Sequence, residues 1–260
     1  MKRIIIFRFD RNPRICQNHL KYIQKLNPDV PIYGIYGGKE KDFSKYKKWL
    51  GGYFAGLYLA RGRTDRFKWQ NFDLVLRDWY RDVGRAIDFD TAYVIEWDLI
   101  LTVSIERAYA HIKKGEVGLT ALVPLRSIEK KWYWTTREPY ATEWKKLLAW
   151  AKDTCQYRGK PNASFGPGLC VPKAFLERYG KIKIPELVHD ELRVPLFAQI
   201  FGFASKDTGF HKVWFDKSEW KYFNCRGKKE WLIRPETIRA ELRKPNGRRV
   251  FHPYRRYLDL

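Results

Sequence analysis

Ile4-Ile5-Ile6-Phe7-Arg8-Phe9 is an apolar run of strand length, Asn12-Pro13 opens a helix to Leu26, and Val30-Pro31-Ile32-Tyr33-Gly34-Ile35-Tyr36 is a second strand closed by Gly37-Gly38. Pro suits a helical first turn because the amide it lacks has no partner there. Strand, helix and strand within 36 residues make a βαβ unit, whose crossover sets the two strands parallel. Further along, Asn71 caps a helix predicted over 72–87. Phe72, Val75, Leu76, Trp79 and Tyr80 give that helix one broad apolar face, and Asp73, Arg77 and Asp78 read as a solvated charged face. Tyr93-Val94-Ile95-Glu96-Trp97-Asp98 is the next strand, followed by strands at 117–123 and 164–171, the latter entered through a Gly166-Pro167-Gly168 turn. Helices are expected over 143–151, 172–179 and about 193–201, with Pro195 in the first turn of the last.

The run to Asp98 also carries the first chemical signal. An extended strand has a side-chain period of two, so Glu96 and Asp98 would share a face at a strand end. In α/β sheets ligands bind outside the carboxyl ends of strands, and paired carboxylates there can hold a divalent cation.

Composition narrows the function class. The chain has 260 residues, of which 45% are hydrophobic and 17% aromatic, too much core-forming material for a disordered basic protein. Cys16, Cys155, Cys170 and Cys225 are scattered without a C-x-x-C pair, so a cysteine zinc site is not indicated and a reducing compartment is expected. No apolar run approaches the roughly 20 residues that span a bilayer, and the first strand is too short for a signal peptide. A formal charge of +22 implies an anionic partner: nucleic acid, an anionic membrane surface or phosphorylated small molecules. From residue 217 to 260 there are 13 Lys and Arg against 5 Asp and Glu. The basic balance marks 217–260 as an appendage over the core or a partner-binding tail after a main domain over 1–216; on the resemblance drawn below, that domain is catalytic and the appendage is expected to pack on or near its active site.

Taken in order, the βαβ opening, Lys68-Trp69-Gln70-Asn71 before a helix, the acid pair closing a strand, the Gly-Pro-Gly strand, His189-Asp190-Glu191 before a helix ending in Gly202, and a late His252 resemble the GT-A-fold glycosyltransferases over roughly residues 1–203. The resemblance implies a Rossmann-like α/β fold with a mixed, mainly parallel sheet flanked by helices. It also implies transfer of a sugar from a nucleotide-sugar donor. Glu96 and Asp98 stand in the place of that superfamily's Asp-x-Asp motif, which holds a divalent cation on the donor diphosphate. Here the first acid is Glu, so Asp98 is the stronger ligand candidate, with Glu96 on the cation through water or on the donor. His252 is the candidate third ligand, and the cation is expected to be Mn²⁺ or Mg²⁺.

His189-Asp190-Glu191 resembles the acidic motif that supplies the general base of inverting members. Counting back from Gly202 puts Glu191 on the base position and Asp190 on the acceptor, although acids also suit a helix N-terminus on physical grounds alone. Donor nucleotide contacts are expected from Phe9, Asp10, Arg11 and Tyr36 at the ends of the first two strands, and diphosphate contact from Lys68. Trp132-Tyr133-Trp134 is either an acceptor platform or a core cluster. The acceptor itself, whether glycan, lipid or protein, is not specified by sequence, and the location expected is cytoplasmic or peripheral on an inner membrane face. The competing classes are a nucleic-acid-binding protein, which no helix-turn-helix, RNA-recognition or zinc-finger pattern supports, and a nucleotidyltransferase of similar fold.

Overall fold

The computed structural model describes residues 1–225 and 233–259. Nine strands are present among them: β1 (Arg3–Phe9), β2 (Ile32–Tyr36), β3 (Gly56–Leu59), β4 (Thr91–Glu96), β5 (Ile100–Leu101), β6 (Val117–Pro124), β7 (Asn162–Pro172), β8 (Ser205–Asp207) and β9 (Val250–Phe251). Seven form one sheet in the order β3-β2-β1-β4-β7-β6-β8, and β5 pairs with β9 in a separate ribbon. β3, β2, β1 and β4 run parallel, and β7 alone is antiparallel to its neighbours. The architecture is thus the mixed, mainly parallel α/β sheet expected from the sequence.

The strand period sorts the core. Ile4 and Ile6 of β1 and Ala92 and Val94 of β4 face the helices Phe72–Asp82, Tyr140–Cys155, Lys173–Lys181 and Asp190–Ile200. Ile5, Phe7 and Phe9, with Tyr93 and Ile95, face the helix Pro13–Leu26 on the other side. A sheet covered on both faces explains why β1 and β4 are nearly continuous apolar runs. Arg8 and Glu96 are register partners at the ends of β1 and β4, and they continue the face of Ile6 and Val94. This end lies where the chain, having moved outward from β1 to β2 and β3, returns to place β4 on the opposite side of β1. Such a switch point opens a crevice at the strand ends.

Four local expectations are corrected. β4 stops at Glu96, and Trp97-Asp98 form a turn in which the Leu99 amide donates to the Glu96 carbonyl at 2.9 Å. Gly166-Pro167-Gly168 lies inside β7 rather than before it. Its pairing with β6 jumps from Thr120↔Phe165 to Gly118↔Cys170, so the three residues arch out of the ladder, with Gly168 at φ 86°. The last core helix begins at Asp190, with His189 as its cap, and Pro195 sits inside it rather than in its first turn. Pro195 offers no N–H to the Glu191 carbonyl one turn back. Finally, the helix at 72 ends at Asp82, and Asp73 and Arg77 on its charged face are buried. Asp73 accepts from Nε of the fully buried Arg193 at 2.7 Å and from the Tyr179 hydroxyl. Arg193 Nη1 in turn donates to the Leu187 and Val188 carbonyls at 2.7 and 2.8 Å, fixing the approach to His189.

The C-terminal segment packs against the strand ends. Ile233, Ile238, Phe251, Tyr254 and Leu258 cluster with Ile100, and β9 pairs with β5 just beyond the Glu96–Asp98 turn. Residues 226–232 and 260, part of the expected basic appendage, lie outside the described residues. Among the described residues no helix is long and apolar enough to cross a membrane.

Candidate active site

An open cleft of about 1130 Å³ runs across the carboxyl ends of β1 and β4 and the arch of β7. It brings together Glu96, Asp98 and His252, whose ligand atoms all lie within 4.8 Å of one another. His252 Nε2 is 3.6 Å from Glu96 Oε2 and 3.5 Å from Asp98 Oδ1. The convergence needs three separate pieces of backbone. Glu96 is the last residue of β4, Asp98 is folded back by the turn, and His252 is pinned between Tyr222 and Asn224, its amide donating to the Tyr222 carbonyl at 3.1 Å and its carbonyl accepting the Asn224 amide at 2.8 Å. The Tyr254 amide donates to the Asp98 carbonyl at 2.8 Å and ties the last segment to the turn.

The donor set fits a divalent cation. His252 Nδ1 lies 2.7 Å from the Asn224 carbonyl, which assigns a proton to Nδ1 and turns Nε2 to the carboxylates, where it is a donor as imidazolium, the form that the two acids favour, and a ligand once a cation displaces that proton. Each carboxylate is oriented from behind: Arg8 Nη1 donates to Glu96 Oε1 at 2.7 Å, and Arg255 Nε donates to Asp98 Oδ2 at 2.8 Å. One oxygen of each acid is thereby committed and the other faces His252. Burial raises the Glu96 carboxyl above its ordinary value, and Arg8 and His252 only partly offset it. For Asp98 burial acts the same way but is outweighed by His252 and Arg255, which hold the carboxyl well below the usual range. Two oxygens and one imidazole nitrogen suit Mn²⁺ as well as Mg²⁺ on ligand type, the nitrogen favouring the transition metal.

A second acidic group lies in the same cleft. Glu191 is locked, because its Oε2 accepts the Trp134 indole N–H at 2.6 Å and its Oε1 accepts the Gly166 amide from the β7 arch at 3.1 Å. Asp190 is different. His189 Nδ1 lies 2.8 Å from Asp190 Oδ1, yet it also accepts the Glu191 amide at 3.2 Å as the helix cap. One nitrogen cannot donate to the carboxylate and accept from the amide at once. With the cap formed, Asp190 Oδ1 and His189 Nε2 are buried polar atoms without partners. Burial alone would raise the Asp190 carboxyl; a protonated His189, which gives up the cap to donate Nδ1–H to Oδ1, together with Arg8 and Arg193 outweighs it and holds the carboxyl below its ordinary value. Burial leaves the Glu191 carboxyl raised.

The other residues singled out from sequence fall as follows. Phe9, Asp10, Arg11 and Lys68 line the cleft. Lys68 is buried, and its ammonium donates to the Gly38 carbonyl at 3.0 Å. Tyr36 is 1% exposed, packs on Phe9, Phe43 and Tyr46, and is not among the lining residues. Of the aromatic triplet, Trp132 and Trp134 are buried and Tyr133 is exposed, so platform and core roles are divided among the three. Arg8 and Arg255 were not singled out as site residues from sequence. Arg8 had a signal, a lone charge inside an apolar strand, whereas Arg255 was indistinguishable from its basic neighbours. Within the basic segment 217–260, Arg248 and Arg249 are held in the fold: Arg248 Nη2 pairs with Glu219 Oε1 at 2.7 Å, and Arg249 Nη1 donates to the Glu241 carbonyl at 2.9 Å. His19 spans the Trp97 and Arg256 carbonyls at 2.8 Å each and joins the turn to the C-terminal segment.

No family model matches the chain, and no curated protein matches it in sequence. Among solved structures it is similar to the apo structure of WbbM, a bifunctional glycosyltransferase, at 8% identity and TM-score 0.40, over 78% of this chain and 38% of that one. The galactosyltransferase LgtC in complex with donor and acceptor sugar analogues matches at 12% identity and TM-score 0.42, over 80% of this chain and 74% of that one. An active-site mutant of LgtC matches at 11% identity and TM-score 0.43, over 87% and 81%. This chain thus spans 38% of the length of the WbbM chain.

Proposed function

We propose that the protein is a metal-dependent glycosyltransferase that moves a sugar from a nucleotide-sugar donor to an acceptor hydroxyl with inversion. The observation that supports this most is the placement of Glu96, Asp98 and His252 in one cleft with Asp190 and Glu191 at the sheet's switch point. Glu96, Asp98 and His252 would hold Mn²⁺ or Mg²⁺, which supplies positive charge to the leaving diphosphate. Arg8 and Arg255 keep the two carboxylates turned inward. Phe9, Asp10 and Arg11 at the end of β1 would receive the base and ribose, with Lys68 on the phosphate side.

The Asp190 carboxylate takes the proton of the acceptor hydroxyl as the hydroxyl oxygen forms the bond to the anomeric carbon and the bond from that carbon to the diphosphate breaks. Assigning the base to Asp190 rather than Glu191 follows from hydrogen bonding, since both Glu191 oxygens already accept from fixed donors. Glu191 then acts as a positioning residue that clamps the helix start to Trp134 and the β7 arch.

The test is calorimetry with UDP and GDP, with and without Mn²⁺, on the wild type and Asp98→Asn, followed by a nucleotide-sugar screen read by thermal stabilisation. Metal-dependent nucleotide binding that the substitution removes supports the reading. Equal affinity in both proteins, or no response to any nucleotide, refutes it.

A further inference from the structure

Five large aromatic side chains are exposed on the described surface, Trp49, Trp69, Tyr133, Phe215 and Tyr257, and three of them, Trp69, Tyr133 and Phe215, line the cleft. Trp69 and Tyr133 are more than half exposed, at 55% and 54%, yet both are anchored from behind. Trp69 packs edge-on to His189 at 5.5 Å, and Tyr133 packs against Trp134 at 5.0 Å and Tyr140 at 5.5 Å. Trp134 itself stacks on His189 at 4.1 Å, so the exposed faces join directly to the His189–Asp190 corner. Rigid aromatic faces beside a base suit the apolar C–H face of a sugar ring.

The charges beside this platform are selective. Lys131 and Arg137 flank Tyr133 on the same short segment, are exposed, and line the cleft. The acids of that segment, Glu129 and Glu138, do not line it. Among the described residues neither Lys131 nor Arg137 has a side-chain hydrogen bond or ion pair. The cleft's other cations are engaged: Arg8 with Glu96, Arg255 with Asp98, Arg11 with Asp10, Lys68 with the Gly38 carbonyl and Arg66 with the Tyr140 hydroxyl. Asp65, which also lines the cleft, acts on Arg11 at the β1 end.

We infer that the acceptor is an anionic saccharide, its ring stacked on Trp69 and Tyr133 and its carboxylate or phosphate held by Lys131 and Arg137. The inference rests on the glycosyltransferase reading and deepens it by naming the acceptor class. Two unpaired cations beside an aromatic face inside a cleft add charge-assisted hydrogen bonds to an anionic sugar that a neutral one cannot form.

The experiment measures binding of methyl β-glucuronide, glucose 6-phosphate and methyl β-glucoside to the full chain by ligand-observed NMR, at one ionic strength and with Mn²⁺ and UDP present. At least one anionic sugar should bind about tenfold tighter than the glucoside, as charge-assisted bonds allow. Preference for the glucuronide alone identifies a carboxylate and preference for the 6-phosphate alone identifies a phosphate. The double variant Lys131→Gln, Arg137→Gln should abolish the preference at unchanged melting temperature, and Trp69→Ala should weaken all three sugars. No preference, or a preference that survives the double variant, overturns the inference. So does a double variant that binds UDP more weakly, because its cations would then serve the donor diphosphate. If UDP fails to bind in a metal-dependent way to the wild type, it is the functional reading that fails, independently of the sugar ranking.

Discussion

Asp73→Ala should destabilise the protein severely although its position lies on the charged face of a helix. In the fold Asp73 is 3% exposed and Arg193 0%, and the two meet through both carboxylate oxygens, with the Tyr179 hydroxyl donating to one of them. Removing the carboxylate leaves Arg193 charged, since its guanidinium cannot shed a proton at any working pH, and keeps only its bonds to the Leu187 and Val188 carbonyls. Stranding one member of a buried pair costs about 3–5 kcal/mol. For a chain of this size roughly 2–4 °C of melting temperature accompanies each kcal/mol, so a midpoint near 4 kcal/mol lowers it by about 8–16 °C. Urea denaturation and calorimetry on Asp73→Ala, Arg193→Met and the double variant Asp73→Leu, Arg193→Met would measure this. The double variant should recover much of the loss, because replacing both charges with apolar groups removes their desolvation penalty. A single-variant loss under about 1 kcal/mol, the scale of a surface ion pair, would refute the argument that this pair is buried and holds the approach to His189.

The remaining expectations concern the site and its supports. Asp190→Asn should keep metal-dependent nucleotide binding while lowering sugar transfer by roughly 10²–10⁴-fold, and Glu191→Gln should do less harm to transfer. Steady-state kinetics decide, and the reverse order would return the base to Glu191. Gly168→Ala should cost at least about 1–3 kcal/mol, because a non-glycine residue is strained in the left-handed region. Here, in addition, a Cβ would meet the Phe210 ring at 2.8 Å. Gly62→Ala, also at positive φ but with nothing within 4 Å, should cost less in the same denaturation experiment, and equal losses would remove the packing argument. Arg248→Gln should lower the melting temperature, with a loss of up to about 3 kcal/mol for a largely buried pair. Unchanged stability, with weaker binding to anionic vesicles, would instead make Arg248 a surface cation.

Periodicity and punctuation determined much about this protein by themselves. The apolar run 4–9, Pro13 at a helical first turn and the run 30–36 dictate a βαβ opening, since these signals act within a few residues of one another. The acids at 96 and 98 were legible as a pair for the same reason, although the turn at Trp97-Asp98 brings them together rather than the strand pleat. Tertiary structure decided the rest. The helix at 72 has an amphipathic pattern whose polar side looks solvated until Arg193, distant in sequence, arrives to bury Asp73. Asp190 and Glu191 are neighbours of the same chemistry, and nothing local separates them. Trp134 and the Gly166 amide take both oxygens of one, whereas Oδ1 of the other faces His189, whose Nδ1 serves it only by giving up the cap. Arg255 was one cation among thirteen Lys and Arg in its segment until β9 paired with β5 and placed it on Asp98. A pattern along the chain records which face of an element is apolar, whereas the partner of a charge is set by contacts between segments distant in sequence, 120 residues apart for Asp73 and Arg193 and 157 for Asp98 and Arg255, which only the folded chain supplies.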